Sequence, residues 1–475
     1  MACKRTKRRG VIRTEQNIVI VGAGEVGRTV AQRLSSDGHN VYLVEKDESV
    51  AQRVNDELDV EVINGNGARP QVLAKAGIVT GGNVDMLIAC TNRDEVNMLS
   101  CWIAHSSGVK QVIARARNLE FTDTPDWGKK LGIDVMISPE RSIAREVLSL
   151  LEVSAATHAA ELLDRRAALY TIKLAENSPL AGMTLKDIRP AFPQLIAVFV
   201  YIVHTDGSSG VPDGFSQLRA GDICYVVTYK KSSWLLQELF QPLKNNHLSS
   251  HSRKIFIAGC GKIGTQIALM IRRDFGNVSL RLIDIDKARC EQLSDEFGSS
   301  LVLNIDGADK KTLIEEGIAN SDAYICATKS DELNLIYCSL AKSLGSKKTI
   351  AVVTRKDYQE LSSLIGVDAT ADPNQSLANV ILKFTRYRNH ALAYSMLDSI
   401  NAEMLEIVLP EGLEITGKTL AELKLPKGSI IALIGRGDEV LVPTGATDLR
   451  IGDHVILFSL KTRMNETAKL FGAGS

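Results

Sequence analysis

Ile18-Val-Ile-Val-Gly-Ala-Gly-Glu-Val-Gly27 is an apolar, β-branched run that breaks into a glycine-spaced turn and then continues with helical period. A strand that delivers G-x-G-x-x-G to the start of a helix predicts the phosphate-binding turn of a doubly wound α/β fold. Gly22 allows the tight turn, Gly24 lets the backbone approach a pyrophosphate, and Gly27 allows close packing of helix on strand. Ala23, Glu25 and Val26 complete the loop. The unpaired N–H groups and the dipole at the helix start favour an anion there. Glycine spacing alone is a weak signal. The next apolar strand, Val41–Val44, strengthens it by ending on Glu45, 23 residues after Gly22. A carboxylate at that place accepts hydrogen bonds from ribose hydroxyls and repels a 2′-phosphate, which disfavours NADP.

The same unit occurs a second time. Gly259, Cys260, Gly261, Lys262, Ile263 and Gly264 repeat the loop 237 residues later, and Asp284 stands 25 residues after Gly259 in the place of Glu45. Thr91-Asn-Arg-Asp-Glu-Val-Asn97 is answered by Thr328-Lys-Ser-Asp-Glu-Leu-Asn334, and Leu218-Arg-Ala-Gly-Asp222 by Leu449-Arg-Ile-Gly-Asp453. Thr91, Asn92 and Thr328 fall just past the fourth strand of each half, beside the crevice where such sheets bind ligands. Arg115, at the end of the next apolar run, either reaches the same phosphates or is a strand-end surface arginine. Val352 stands opposite it in the second half.

Strands alternating with helix-period segments predict α/β architecture: two Rossmann-like, doubly wound parallel-sheet domains, each followed by a small α+β domain. The boundaries read from the repeat are 16–138 and 253–372 for the nucleotide-binding domains. A crossover helix with its small domain occupies 139–240 and again 373–475, with a linker over 241–252. Pro139 and Pro373 open the two crossover helices, proline being tolerated in a first turn. Their apolar faces (Ile143, Val147, Leu150, Leu151; Leu377, Val380, Ile381, Phe384) are expected to carry subunit contacts. In the first half the small domain is read from Ala167 to Leu239, with strands at Leu169–Leu174, Ile196–Val203 and Ile223–Thr228.

Bulk composition narrows the function. Lys+Arg and Asp+Glu are equal at 56 each, which gives no sign of a nucleic-acid partner. The longest apolar run, Leu195 to Val203, is about half of what a transmembrane helix needs. Eight cysteines lie scattered without a C-x-x-C pair, as reduced thiols in a cytosol do, and no metal site is assigned; His247 and His251 sit in linker-like sequence. The basic residues Lys4 to Arg13 are followed by no signal-type apolar segment; they read as a solvated tail or as a contact for anionic lipid. No His–acid dyad or nucleophile elbow is apparent near either loop. Sensing is therefore favoured over turnover, and an NAD-dependent oxidoreductase is the rival reading.

Ile18–Gly27, Cys90–Asn97, Ser178-Pro-Leu-Ala-Gly182 and the stretch from Gly417-Lys-Thr-Leu420 through Asp453 together resemble the Trk potassium-uptake peripheral protein family, tandems of potassium-conductance-regulating (RCK) N and C domains. The tandem is more specific than any one motif, since single-copy relatives regulate other potassium channels and cation antiporters. The resemblance implies NAD(H) or ATP/ADP binding and assembly into a homo-oligomeric ring, a tetramer. It also implies a cytoplasmic position on the inner face of the membrane, attached to a Trk-type potassium-transporting membrane subunit.

Overall fold

The computed structural model describes residues 15–242, 253–386 and 391–472. The basic N-terminal residues, Cys3, His247, His251 and most of the expected linker lie outside the described residues. The described residues divide into two compact units, one holding those up to Ser138 together with those from Ala468, the other those between Pro139 and Thr467.

In the first unit six parallel strands, β1 (Asn17–Val21), β2 (Asn40–Glu45), β3 (Glu61–Asn64), β4 (Met86–Ala89), β5 (Gln111–Arg115) and β6 (Val135–Ile137), lie in the order 3-2-1-4-5-6. The central strands are apolar throughout because helices cover both faces: Ile18, Val19, Ile20, Leu87 and Ile88 are all fully buried. The order reverses between β1 and β4, and that switch opens a crevice at the strands' carboxyl ends.

The second unit repeats this sheet with β12 (Arg253–Ala258), β13 (Val278–Asp284), β14 (Val302–Asn304), β15 (Ala323–Cys326), β16 (Thr349–Val352) and β17 (Ala369–Ala371), in the order 14-13-12-15-16-17. It also holds two antiparallel sheets. One is β7 (Ala156–Leu162), β8 (Ala167–Lys173), β9 (Ala197–Val203), β10 (Ser209–Gly210) and β11 (Ile223–Tyr229), ordered 10-9-11-8-7. The other is β18 (Ala391–Leu397), β19 (Ala402–Val408), β20 (Ser429–Arg436), β21 (Glu439–Leu441) and β22 (His454–Leu460), ordered 18-19-22-20-21. The expected fold class is present: two Rossmann-like parallel sheets accompanied by antiparallel ones.

Two differences from the sequence reading have physical causes. The first antiparallel sheet begins at β7, before Ala167. Alanine-rich Ala156–Leu162 carries little strand propensity of its own and is held by pairing with β8. The apolar faces of the crossover helices, expected to carry subunit contacts, are mostly covered inside the chain, with Leu151, Val380 and Phe384 left half-buried. Pro139–Glu152 packs against both Lys262–Asp274 and Pro373–Arg386, so Ile143, Val147, Leu150 and Leu377 are fully buried.

The antiparallel sheets share one core, in which Leu162, Leu169 and Tyr201 meet Met404, Leu433 and Phe458. The β7–β8 turn is the key of this junction. Leu163, Asp164 and Arg165 all have left-handed backbones (φ 52, 48 and 71°), a costly conformation for non-glycine residues. The Leu163 N–H is fixed by the buried Glu406 Oε2 at 2.7 Å, and its side chain packs on Gly435, where a Cβ would come within 3.0 Å of it.

Candidate functional site

The three glycines of each loop separate into three steric roles. Gly22 and Gly259 have φ of +103° and +85°, and a Cβ on either would press on the threonine after the fourth strand, Thr91 or Thr328. A Cβ on Gly27 would lie 1.9 Å from the Gly22 carbonyl oxygen, and one on Gly264 2.1 Å from that of Gly259. Those two positions let the helix close on its strand. Gly24 and Gly261 differ: their backbones are ordinary, and an added Cβ meets nothing within 4 Å. Their bareness serves no contact within the chain. It leaves open the space in front of the helix start.

Neither loop helix, Glu25–Ser36 nor Lys262–Asp274, has a side-chain cap. The helices that follow, Glu48–Glu57 and Lys287–Phe297, are capped by Asp47 and Asp286. First-turn N–H groups left without a side-chain acceptor form a ready anion site.

Glu45 and Asp284 hold the loops in the same way. One oxygen of each accepts the N–H after the first glycine (Ala23 or Cys260, both 2.8 Å), and the other accepts the N–H two residues on (Asp47 or Asp286, both 3.0 Å). Each carboxylate keeps lone pairs for further donors such as ribose hydroxyls.

The threonines are pinned by a residue that sequence reasoning quoted only as part of the repeat. Asn97 Oδ1 accepts from Thr91 N (2.9 Å) and Oγ1 (2.7 Å), while its Nδ2 donates to the Thr91 and Arg115 carbonyls. Asn334 repeats this with Thr328 and with the carbonyl of Val352, which places Val352 opposite Arg115. Both amides are buried. The recurring D-E-x-N was the available signal: Asp94 and Asp331 likewise accept backbone N–H groups after β5 and β16.

Gly22, Ala23, Gly24, Glu25, Glu45, Thr91, Asn92 and Arg115 all line one crevice of about 460 Å³, with room for a nucleotide. Val26 and Gly27 are buried beneath it. Arg28, Lys46, Arg53 and Arg93 also reach its wall and were not anticipated. In the second half Asp284 and Thr328 meet the loop at Cys260 and Gly259, Gly264 is buried, Ile263 is half-buried and Lys262 is exposed. Burial pushes the thiols of Cys90 and Cys260 up to about 12, so the sulfur beside each loop is a neutral packing group rather than a nucleophile.

Residues 18–139 and 255–373 match the TrkA-N domain family model, and residues 404–472 the TrkA-C domain model. Trk system potassium uptake protein TrkA homolog 1 of Methanosarcina mazei is 34% identical over 461 residues, covering 95% of this chain and 99% of its own. Trk system potassium uptake protein TrkA of Azorhizobium caulinodans is 31% identical over 460 residues, covering 96% and 98%. Among solved structures, the GsuK RCK domain superposes with a TM-score of 0.59 at 20% identity over 98% of both chains. The GsuK channel bound to NAD gives 0.58 at 21% identity, over 97% of this chain and 79% of that one. The chain belongs to the TrkA family of Trk-system potassium uptake proteins.

Proposed function

We propose that this chain is a nucleotide-sensing regulatory subunit, peripheral on the inner face of the cell membrane, that gates potassium passage through a Trk-type membrane partner. The observation that carries the reading is the duplicated loop whose middle glycine, Gly24 or Gly261, is bare for no reason internal to the chain. NAD(H) is the first ligand, in keeping with the NAD-bound channel of the same fold, and ATP or ADP shares the adenosine diphosphate part that such a loop holds. Glu45 and Asp284 face the ribose, Thr91, Asn92 and Arg115 flank the phosphates of the first site, and Thr328 those of the second. The working assembly is a homo-oligomeric ring, a tetramer. No helix among the described residues is long and apolar enough to cross a membrane; in this reading the partner supplies the ion path.

Gating follows from differential affinity. A nucleotide that binds one ring geometry more tightly shifts the population toward it, by a coupling on the order of 1–3 kcal/mol per effector. The chain performs no turnover in this reading. Titration calorimetry with NADH and ATP is the test, and two bound nucleotides per chain are expected. Sustained NADH oxidation with a carbonyl substrate, abolished by Gly24→Val, would replace this reading with an oxidoreductase.

A further inference from the structure

The helix after the second strand begins alike in both halves. Asp47 accepts from the N–H groups of Ser49 and Val50, and Asp286 from those of Ala288 and Arg289. The caps therefore set the register: Arg289 stands where Val50 stands, and Gln292 where Arg53 stands. Val50 and Arg53 line the first crevice. In the second half the cation on this wall has moved three residues toward the glycine loop, about 4.5 Å along the helix.

Arg289 is also held against the loop. Its Nε donates to the Cys260 carbonyl at 2.8 Å, one terminal nitrogen to Thr265 Oγ1 at 2.6 Å, and the other to Gln292 Oε1 at 2.9 Å. Every one of these acceptors is neutral. Three of the five guanidinium N–H groups are used, and among the described residues no carboxylate lies within ion-pair distance. The first half puts Arg28 where Thr265 stands, and there Glu57 neutralises it. Its other crevice cations include Arg93 and Arg115, on the β4–β5 side of the loop, and Lys46 and Arg53 toward β2. Glu25 sits at the helix start where the second half has Lys262.

We propose that Arg289 is a ligand-contacting residue of the second nucleotide site, where it reads phosphate charge; this rests on the nucleotide reading of the second loop. A guanidinium pre-positioned by neutral acceptors keeps its full charge for an incoming anion and loses little side-chain freedom on binding. ADP and ATP end in a free, anhydride-linked phosphoryl group, which carries more negative charge than either phosphate of NAD's doubly esterified pyrophosphate bridge. The second site therefore discriminates toward the terminal phosphate, and Arg289 is the residue that makes it do so.

The experiment uses the full chain with Gly24→Val, which closes the first site, and titrates ATP and NAD separately into it and into Arg289→Ala and Arg289→Gln versions. A lost charge-assisted contact is worth about a ten-fold drop in ATP affinity, with NAD changing less than about three-fold. Arg289→Gln keeps a donor for the Cys260 carbonyl, so its loss of ATP preference isolates charge from loop support. Equal losses for both ligands, or tighter binding on removal of the side chain, would overturn the proposal. If the Gly24→Val chain binds neither ligand before Arg289 is touched, the nucleotide reading of the second loop has failed, and Arg289 with it.

Discussion

Gly24 and Gly27 stand three residues apart in one loop, yet substituting them should have opposite consequences. Gly24 has φ −66° and ψ 179°, values open to any residue, and an added Cβ meets nothing within 4 Å. It is also the helix N-cap, where exchange for an aliphatic residue costs roughly 1 kcal/mol; a stiffer unfolded chain offsets about 0.4–1 kcal/mol of that. Gly24→Val should therefore leave the melting temperature within a few degrees of wild type. At Gly27 the new Cβ would lie 1.9 Å from a backbone oxygen and 3.2 Å from Cys90 Sγ. The obstacle is main chain, so the helix itself must move, and overpacking of this kind costs about 1–3 kcal/mol or more. For a domain of this size that is a loss of about 5–15 °C. Differential scanning fluorimetry gives the first quantity, and calorimetric titration with NADH gives the second. Gly24→Val should lose one of two bound nucleotides at full stability, and Gly27→Ala should lose stability and binding together. Unchanged stoichiometry in a folded Gly24→Val chain would show that the bare space in front of the helix is not a phosphate site.

Glu45→Ala should weaken the first site and Asp284→Ala the second, while Glu45→Gln and Asp284→Asn keep one acceptor for the loop N–H and separate ribose contact from loop support in the same titrations. Asn97→Ala removes the acceptor of the part-buried Thr91 N–H and the amide that donates to the Arg115 carbonyl. It should cost the first domain about 2–4 kcal/mol, measurable by urea denaturation. Lys348 is buried and donates to the carbonyls of Ser154 (2.8 Å) and Ala156, and burial lowers its pKa to about 8. Unfolded lysine titrates near 10.4, so between about pH 8 and 10.4 the unfolded chain binds the extra proton, and this residue makes stability rise with pH there. The difference in denaturation free energy between wild type and Lys348→Met should grow with pH in wild type's favour across that window; a flat difference would refute the assignment.

The parts of the site that sequence reveals are those where backbone geometry restricts residue type. A left-handed turn at Gly22, a bare approach at Gly24 and helix–strand closure at Gly27 each exclude a side chain for a separate reason, and their spacing is visible without coordinates. Glu45 and Asp284 were legible because a strand end is countable from the loop. Arg289 was not, because its role depends on a long side chain folding back over Cys260, and rotamers do not show in sequence. Asn97 and Asn334 were visible as repeat letters but not as struts, since what they join, a threonine six residues back and a main-chain carbonyl of the next strand, is brought together only by the fold. The covered faces of the crossover helices were hidden for a similar reason: periodicity identifies an apolar face but not what covers it.

What covers those faces makes the halves of the second unit interdependent. The crossover helix Pro139–Glu152 leads directly into β7, and its apolar residues share one core with Ile267, Met270 and Ile271 of the second loop helix. A polar link joins the β7–β8 turn to the far end of that loop helix, where Arg165 meets Asp274 at 2.7 Å. The two contacts are not equal partners. Arg165 is 42% exposed, and a bridge of that kind contributes at most about 1 kcal/mol. Each buried aliphatic side chain in the shared core contributes about 1.5–3 kcal/mol, and close-packed interiors shift as units rather than deform. The packing therefore dominates. A rigid displacement of Lys262–Asp274, whose first turn follows the second glycine loop and faces the proposed nucleotide site, must carry Pro139–Glu152 with it. The element it reaches first is the antiparallel sheet of the preceding half, which is docked through Leu163 and Glu406 onto the sheet of its own.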